Sequence, residues 1–377
     1  MKRFLPPILL VAAIVLTAPF MGVIRDVLFD RFEAAAIRYL AILLALIAIL
    51  AFAYAVARIR EHRGWRYLGL VATAGLLWIE VTYMSDSLSG GGIAARVSVV
   101  EKIHIVQYGL LALLLYRACK PLGDLAMLAL PLLGVTVAGV LDESMQWWIS
   151  TRTGDIDDVF LNMYSGLCGL VFAVSLDPPQ KLRFGVSPAS RRQLVGAAIL
   201  AVTSVGLFYD TAHLGYEHYD PAIGRFLSWH SMEDLRAAAE DREEGWRVDP
   251  PTGPSPWRAE DRFLAEAGWY AGHRNERYEA GDAYHSAQAN RILEAYYGPF
   301  LDLEFYRGSA KQRYPPEMRE ALEAKAPAYD PAEFKSPVLR HRIKTWPSKP
   351  VFYGALAAIL LVIWGVPWLL WGRRGES

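Results

Sequence analysis

Residues 4–209 are mostly apolar runs, several of them long enough to cross a bilayer. Lipid offers no hydrogen-bond partner to backbone N–H and C=O groups, so runs of that length must fold as helices that satisfy their own backbone. Eight such spans are expected, near residues 4–24, 34–57, 66–84, 98–117, 122–149, 158–177, 191–209 and 351–371. The fourth and sixth are the least uniformly apolar, since both begin with charged residues. The stretch between the seventh and eighth spans, 210–350, is different material, charged and aromatic. The average hydrophobic content of 53% is a mixture of the two.

The expected architecture is therefore all-α: a polytopic helical membrane protein with a helical extracytoplasmic insert. Its parts would be N-terminal spans over 1–66, a polar-rich helical domain over 67–177, one further span in 178–209, a soluble, mainly helical domain over 210–350, and a last span and tail over 351–377. The N-terminus has a basic start and an apolar stretch that could serve as a secretory signal. Apolarity continues through Ile24, however, so an uncleaved first helix is expected. Counting Lys and Arg in the short loops orients the chain. One side would hold Lys2, Arg3, Arg58, Arg60, Arg63, Arg66, Arg117, Lys120, Lys181, Arg183, Arg191, Arg192, Arg373 and Arg374. The other holds Arg25, Arg31, Arg38, Arg96 and Arg152, with Lys102 at the margin. The bias puts both termini in the cytoplasm of an inner or plasma membrane, and 210–350 outside. The first loop, with three arginines, votes against it.

Within the insert, Ser231 to Asp234 has the form of an N-terminal capping box before a helix ending near Gly245. After a Pro- and Gly-rich loop at 249–256, one or two amphipathic helices are expected over 257–301, with aromatics at Phe263, Trp269, Tyr270, Tyr284, Tyr296 and Tyr297. Those aromatics are read as the insert's own core. A shorter helix is expected from 317 to 326. The two cysteines, Cys119 and Cys168, both lie outside the insert, so no disulfide framework supports it. Equal numbers of basic and acidic residues leave no nucleic-acid footprint, and nucleic acid is excluded as a partner.

The stretch 141–170 is too polar for an ordinary hairpin between membrane helices. It holds Asp142, Glu143, Gln146, Arg152, Asp157, Asp158 and Asn162. Ionisable residues inside a membrane mark functional sites by default. Helical periodicity directs them inward together with polar residues of the fourth span. Glu101, His104 and Tyr108 share one face of the fourth helix; Gly139, Glu143 and Gln146 one face of the fifth; Asp158, Asn162, Gly166 and Gly169 one face of the sixth. Small residues in line with polar ones let neighbouring helices approach closely enough for the polar groups to meet. Trp147 and Trp148 suit an interfacial aromatic belt. Glu80 and Asp86, near the end of the third span, are candidates to join the cluster. His213 and His218 fit one helix face poorly and are set aside as a metal pair.

These same polar residues resemble the signature of the VanZ-like family, over roughly 70–176. Carried across position by position, the family's polar positions fall on Lys102, His104, Tyr108, Glu143, Gln146, Arg152, Asp158 and Asn162. Where the family often has Pro-Gly before its arginine, this chain has Ser150 and Thr151. The resemblance implies a cell-envelope protein of a family named for teicoplanin resistance; it does not supply a reaction, and the insert lies outside the compact family domain.

Three function classes follow. The first is binding of an amphiphilic, lipid-linked ligand at an outer-leaflet polar cluster, with the insert as its cover, because an arginine fork suits phosphate at headgroup level. Partners would then be membrane lipids or a lipid-linked envelope intermediate. The second is an intramembrane enzyme, with Glu143, Asp158 and His104 as acid–base or metal groups on a lipid phosphate. Their ligand types suit a hard divalent ion, but spacing across three helices does not identify a site, so no metal and no cofactor is assigned. The third is a structural subunit that docks a membrane-protein partner through 210–350. In every class the bland alternative is internal pairing: Glu143 with Arg152 or Lys102, or Asp158 and Asn162 tying the sixth helix.

Overall fold

The computed structural model describes residues 2–32, 34–84, 94–149, 152, 154–251, 261–303 and 312–371. The chain divides into two compact units. The first comprises Met1–Gln146, Gly154–Phe208 and Tyr353–Ser377, and the second Trp147–Thr153 and Tyr209–Phe352.

The long apolar helices are α1 (Leu5–Phe32), α2 (Ala34–Arg58), α3 (Arg63–Ile79), α4 (Ala94–Cys119), α5 (Ala126–Trp148), α6 (Ile156–Leu176), α7 (Pro188–Ala212) and α13 (Lys349–Trp371). Helices thus occupy all eight expected positions. Five stretches are long and apolar enough to cross a membrane: Lys2–Met21, Arg38–Arg58, Ala126–Trp148, Ile156–Leu176 and Pro188–Ala212, with a shorter apolar helix at Lys349–Gly365. Of the other two, α3 has 17 residues and passes into a π-helical turn, Glu80–Met84, while α4 carries charge at its start. The protein is a multi-pass membrane protein. Its lipid-compatible surface is plain on α2, where Leu43, Leu46, Ile49 and Leu50 all stand exposed.

In the first unit α6 is the shared wall. It runs parallel to α4: His104 meets Asn162, Gly109 meets Gly169, and Tyr116 donates to the Asp177 carbonyl at 2.9 Å. A Cβ on Gly169 would lie 2.2 Å from the Gly109 carbonyl oxygen and 2.5 Å from its Cα, so the two backbones touch and only glycine fits. The sixth helix runs antiparallel to α3 and α5. Arg66 of α3 is buried and donates to the Ser175 and Leu176 carbonyls at 2.8 and 2.6 Å, which closes the C-terminal end of α6 with a cation where the helix dipole favours one. Gly139 and Gly166 do for α5–α6 what Gly169 does for α4–α6, packing on Asn162 and Val135 respectively.

The second unit is mainly helical, as its sequence leads one to expect, and adds a short antiparallel hairpin, β1 (Tyr216–Asp220) and β2 (Gly224–Ser228), paired from Tyr216↔Ser228 to Asp220↔Gly224. The signal is short but present. In β1 burial alternates around His218, and Asp220 accepts from the Ala222 N–H to turn the chain. Gly224, at φ 106°, sits against the Pro331 carbonyl where a side chain would clash. Among the described residues five helices follow: α8 (Met232–Val248), α9 (Arg262–Glu279), α10 (Ala283–Tyr296), α11 (Gly298–Leu301) and α12 (Pro316–Lys325). Ser231 is the N-cap of α8, its Oγ accepting from the Asp234 N–H at 3.1 Å and donating to the Asp234 carboxylate at 2.6 Å. Phe263, Tyr270, Tyr296 and Tyr297 are core, as expected. Trp269 is 41% exposed and carries the Arg342 guanidinium 4.0 Å over its ring.

The core of this unit closes over a buried carboxylate that the sequence reading passed over. Glu266, fully buried, accepts from Ser228 Oγ (2.7 Å), the Trp229 N–H (2.6 Å) and Tyr297 OH (2.6 Å), and His230 Nδ1 stands 3.3 Å away. Burial and the Glu266 charge push the Tyr297 phenol well above its ordinary pKa, so it stays a donor.

Replacing Gly169 with alanine forces α4 and α6 apart. Overpacking of this kind costs about 1–3 kcal/mol, and the Gly169→Ala protein should lose several degrees of Tm in detergent by scanning fluorimetry; an unchanged Tm would refute the backbone contact. His218 is buried, its Nε2 bonded to the His230 carbonyl at 2.9 Å. Burial lowers its pKa below the ordinary value. The unfolded chain therefore takes up the proton first as pH falls through about 6.5, and stability contributed by the neutral ring is present above that pH and lost below it. The expected result is a fall in Tm from pH 7 to 5 that is shallower in His218→Gln; identical slopes would show that this ring does not titrate with unfolding.

Candidate functional site

The polar stretch resolves into a buried ring of side chains from α4, α5 and α6. Its base is the start of α6. Asp155 is the N-cap, its carboxylate accepting the Asp157 N–H at 3.0 Å, and Asp157 and Asp158 lie in the first turn where the helix dipole favours acids. The Asp155 N–H donates to Glu143 Oε2 at 3.1 Å, tying the end of α5 to the beginning of α6. Gln146, one turn after Glu143, donates from Nε2 to Glu143 Oε1 at 2.9 Å.

The opposite side of the ring belongs to α4. Tyr108, fully buried, donates to Asp142 Oδ2 at 3.0 Å. One turn earlier, His104 Nδ1 lies 3.0 Å from Asn162 Oδ1, and its ring packs edge-on against Tyr108 with centroids 5.7 Å apart. The Asn162 side chain is fully buried, and its Nδ2 has no hydrogen-bond partner. That nitrogen sits 3.4 Å from where a Cβ on Gly139 would be, so the missing side chain of Gly139 makes the room it occupies.

The outcome is a compact set of opposed chemistries. Glu143 and Asp142 are buried, at 0% and 3% exposure. One ligand atom each from His104, Asp142 and Glu143 lie within 4.8 Å of one another. The charges of Asp142, Glu143 and Asp158 all reach the Tyr108 phenol. Burying carboxylates is expensive unless donors or cations compensate. Such a ring can hold a cation, accept from a donor-bearing headgroup, or store a proton.

Of the residues singled out in the sequence, His104, Tyr108, Glu143, Gln146 and Asn162 come together, and Asp158, half-buried, is near enough for its charge to act on Tyr108. Arg152 belongs to the second unit, half-buried, with its backbone N–H on the Ile149 carbonyl at 3.0 Å. Lys102 and Glu101 lie in α4, but their side chains are outside the described residues, as are Asp86, Gly90 to Gly92, Ser150 and Thr151. Asp142, one acid among several in the polar stretch, belongs to the site as well. Gly139, Asp142, Glu143 and Gln146 fall at i, i+3, i+4 and i+7, and that spacing carried the signal.

Glu80 takes partners of its own. Buried at the π-helical turn, it accepts from Ser165 Oγ and from Cys168 Sγ, the latter at 3.7 Å, one and two turns along α6 from Asn162. His213 and His218 each bond a backbone carbonyl, of Arg342 and His230 respectively. Trp148 is 52% exposed, whereas Trp147 lies under the Arg262 guanidinium at 5.2 Å.

The VanZ/LLP1 family model matches residues 36–177. This supports the VanZ-like resemblance read from the polar residues and extends it toward the N-terminus, taking in α2 and all of α3. No curated protein and no solved structure matches the chain.

The Tyr108–Asp142 bond gives the site a structural test. Tyr108→Phe leaves the buried carboxylate one donor short, and a lost bond to a charged group costs about 1.5–3 kcal/mol. Chemical or thermal unfolding of the variant should show a loss in that range; a variant as stable as the parent would mean that Asp142 is satisfied without the phenol.

Proposed function

We propose that this multi-pass membrane protein, VanZ-like over residues 36–177, uses the ring of His104, Tyr108, Asp142, Glu143, Gln146 and Asn162 to bind the headgroup of an amphiphilic, lipid-linked ligand of the cell envelope. The observation that carries the reading is Asn162. Its carbonyl oxygen is engaged by His104 while its amide nitrogen, fully buried, has no hydrogen-bond partner. A buried donor without an acceptor costs about 1–3 kcal/mol, a cost that a ligand oxygen would remove on binding.

The apolar exterior of the helices suits a ligand with a lipid tail, since such a molecule reaches an intramembrane site laterally. The Lys and Arg asymmetry of the loops supports placing the ring in the outer leaflet, with 210–350 extracytoplasmic and both termini cytoplasmic. Lys102 and Asp158 belong to the proposed set as well, and a cation such as Lys102 suits an anionic headgroup. On this reading, any contribution to glycopeptide resistance runs through handling of a lipid-linked envelope intermediate. The unit Tyr209–Phe352 would dock a partner protein, and its exposed Trp269 is the kind of residue that such contacts use.

The test compares a polyprenyl phosphate with the corresponding polyprenol on the full-length protein in nanodiscs. The phosphate should bind at least tenfold more tightly, and Asn162→Ala should weaken it tenfold or more, about 1.4 kcal/mol. Equal affinity for phosphate and alcohol, or a folded variant that binds like the parent, would sink the reading.

A further inference from the structure

We propose that His104, Asp142 and Glu143 hold a divalent transition-metal ion, of the Zn²⁺ or Mn²⁺ type, with an open coordination position for the oxyanion of the ligand. The inference deepens the headgroup-binding reading and rests on it for the identity of that oxyanion.

Three arguments meet at this point. The first is geometric. The three residues come from two helices, α4 and α5, and present one nitrogen and two carboxylate oxygens within 4.8 Å of one another. Ligand atoms at roughly 2.0–2.2 Å from a common ion stand roughly 3.4 Å apart in tetrahedral geometry, so small rotations of the side chains close the set. The second is charge. Asp142 and Glu143 are buried, at 3% and 0% exposure, and a divalent ion is suited to two carboxylates held side by side. Imidazole with carboxylates is a donor set that suits zinc and manganese rather than the softer thiolate metals.

The third argument lies around the ligands. A His104 ring that donates from Nδ1 to Asn162 Oδ1 carries, when neutral, its lone pair on Nε2. Metal-binding histidines are characteristically oriented through their other nitrogen by such an acceptor. Tyr108 OH on Asp142 and Gln146 Nε2 on Glu143 orient the carboxylates in the same way. The same Asn162 amide that orients His104 holds the buried Nδ2 without a partner, next to Gly139 and so one turn from Asp142 and Glu143 along α5. A donor there fits an oxygen bound to the ion, whether water or a ligand's phosphate. Three protein ligands with one remaining position is the arrangement of an open site rather than a structural one.

The test uses the full-length protein purified in detergent, stripped with a chelator, re-equilibrated with Zn²⁺ or Mn²⁺ alone, and assayed for bound metal by elemental analysis and titration calorimetry. One equivalent per chain is expected. His104→Gln and Asp142→Asn should weaken binding at least a hundredfold and Asn162→Ala ten- to a hundredfold, with monodisperse elution showing that the variants are folded. Glu80→Gln should bind like the parent. No stoichiometric metal in the parent, or undiminished binding in folded His104→Gln and Asp142→Asn, overturns the proposal. Polyprenyl phosphate binding that is insensitive to chelation also overturns it while leaving the headgroup reading intact. Stoichiometric metal in a protein that ignores polyprenyl phosphate supports the ion site and removes the headgroup reading.

Discussion

Everything in the first unit depends on the contact between Gly109 of α4 and Gly169 of α6. Two helices whose backbones touch stand as close as helices can, and only residues without a Cβ allow it. The consequence is felt at the polar end of the same pair. There His104 Nδ1 lies 3.0 Å from Asn162 Oδ1, across the same α4–α6 seam. The glycines and the polar residues are thus one device, with α5 drawn into the same seam by Gly139.

The ring that results carries its charges in an expensive place. A carboxylate in the interior is tolerated when donors surround it, and Glu266 of the second unit shows the limiting case. Three donors at 2.6–2.7 Å and His230 Nδ1 at 3.3 Å fill the roughly four acceptor positions of one carboxylate. That residue joins β2, α9 and Tyr297 and reads as a pin for the core. The α4–α5–α6 ring is built otherwise. Its two carboxylates are neighbours in sequence, an imidazole stands beside them, and an amide nitrogen in their seam has no hydrogen-bond partner. On the reading proposed above, the unused Asn162 donor is where a ligand oxygen would be met, whereas Glu266 is a packing element of its core.

Glu80 occupies a third position between these. Its partners, a serine hydroxyl and a thiol, both come from α6, so it fixes α3 to α6 at the level where α3 changes to a π-helical turn. Arg66 fixes the other end of the same pair. Polar groups thus clamp α3 to α6 at both ends, while glycines bring α4 and α5 against it. In lipid, where apolar contact gives helices no preference for one another over the tails, this division between clamps and close contacts is what specifies one packing.

The sequence by itself determined the apolar helices, the faces that Tyr108, Glu143 and Asn162 would share with small residues, the cap at Ser231 and the aromatic core of the insert. Those are properties of periodicity and of backbone hydrogen bonding, and both act within a few residues along the chain. It did not determine partners. Nothing in the order of residues says that Glu80 would meet Ser165 and Cys168, that Asp142 would accept from Tyr108, or that Glu266 would gather donors from residues more than thirty positions away. Nor did the helical composition of the insert reveal the hairpin at Tyr216–Asp220 and Gly224–Ser228, since five-residue strands leave too short a pattern to outweigh the helices around them. Those outcomes were decided by tertiary structure, because a buried polar group is satisfied by whichever donor or acceptor the packing of distant helices delivers.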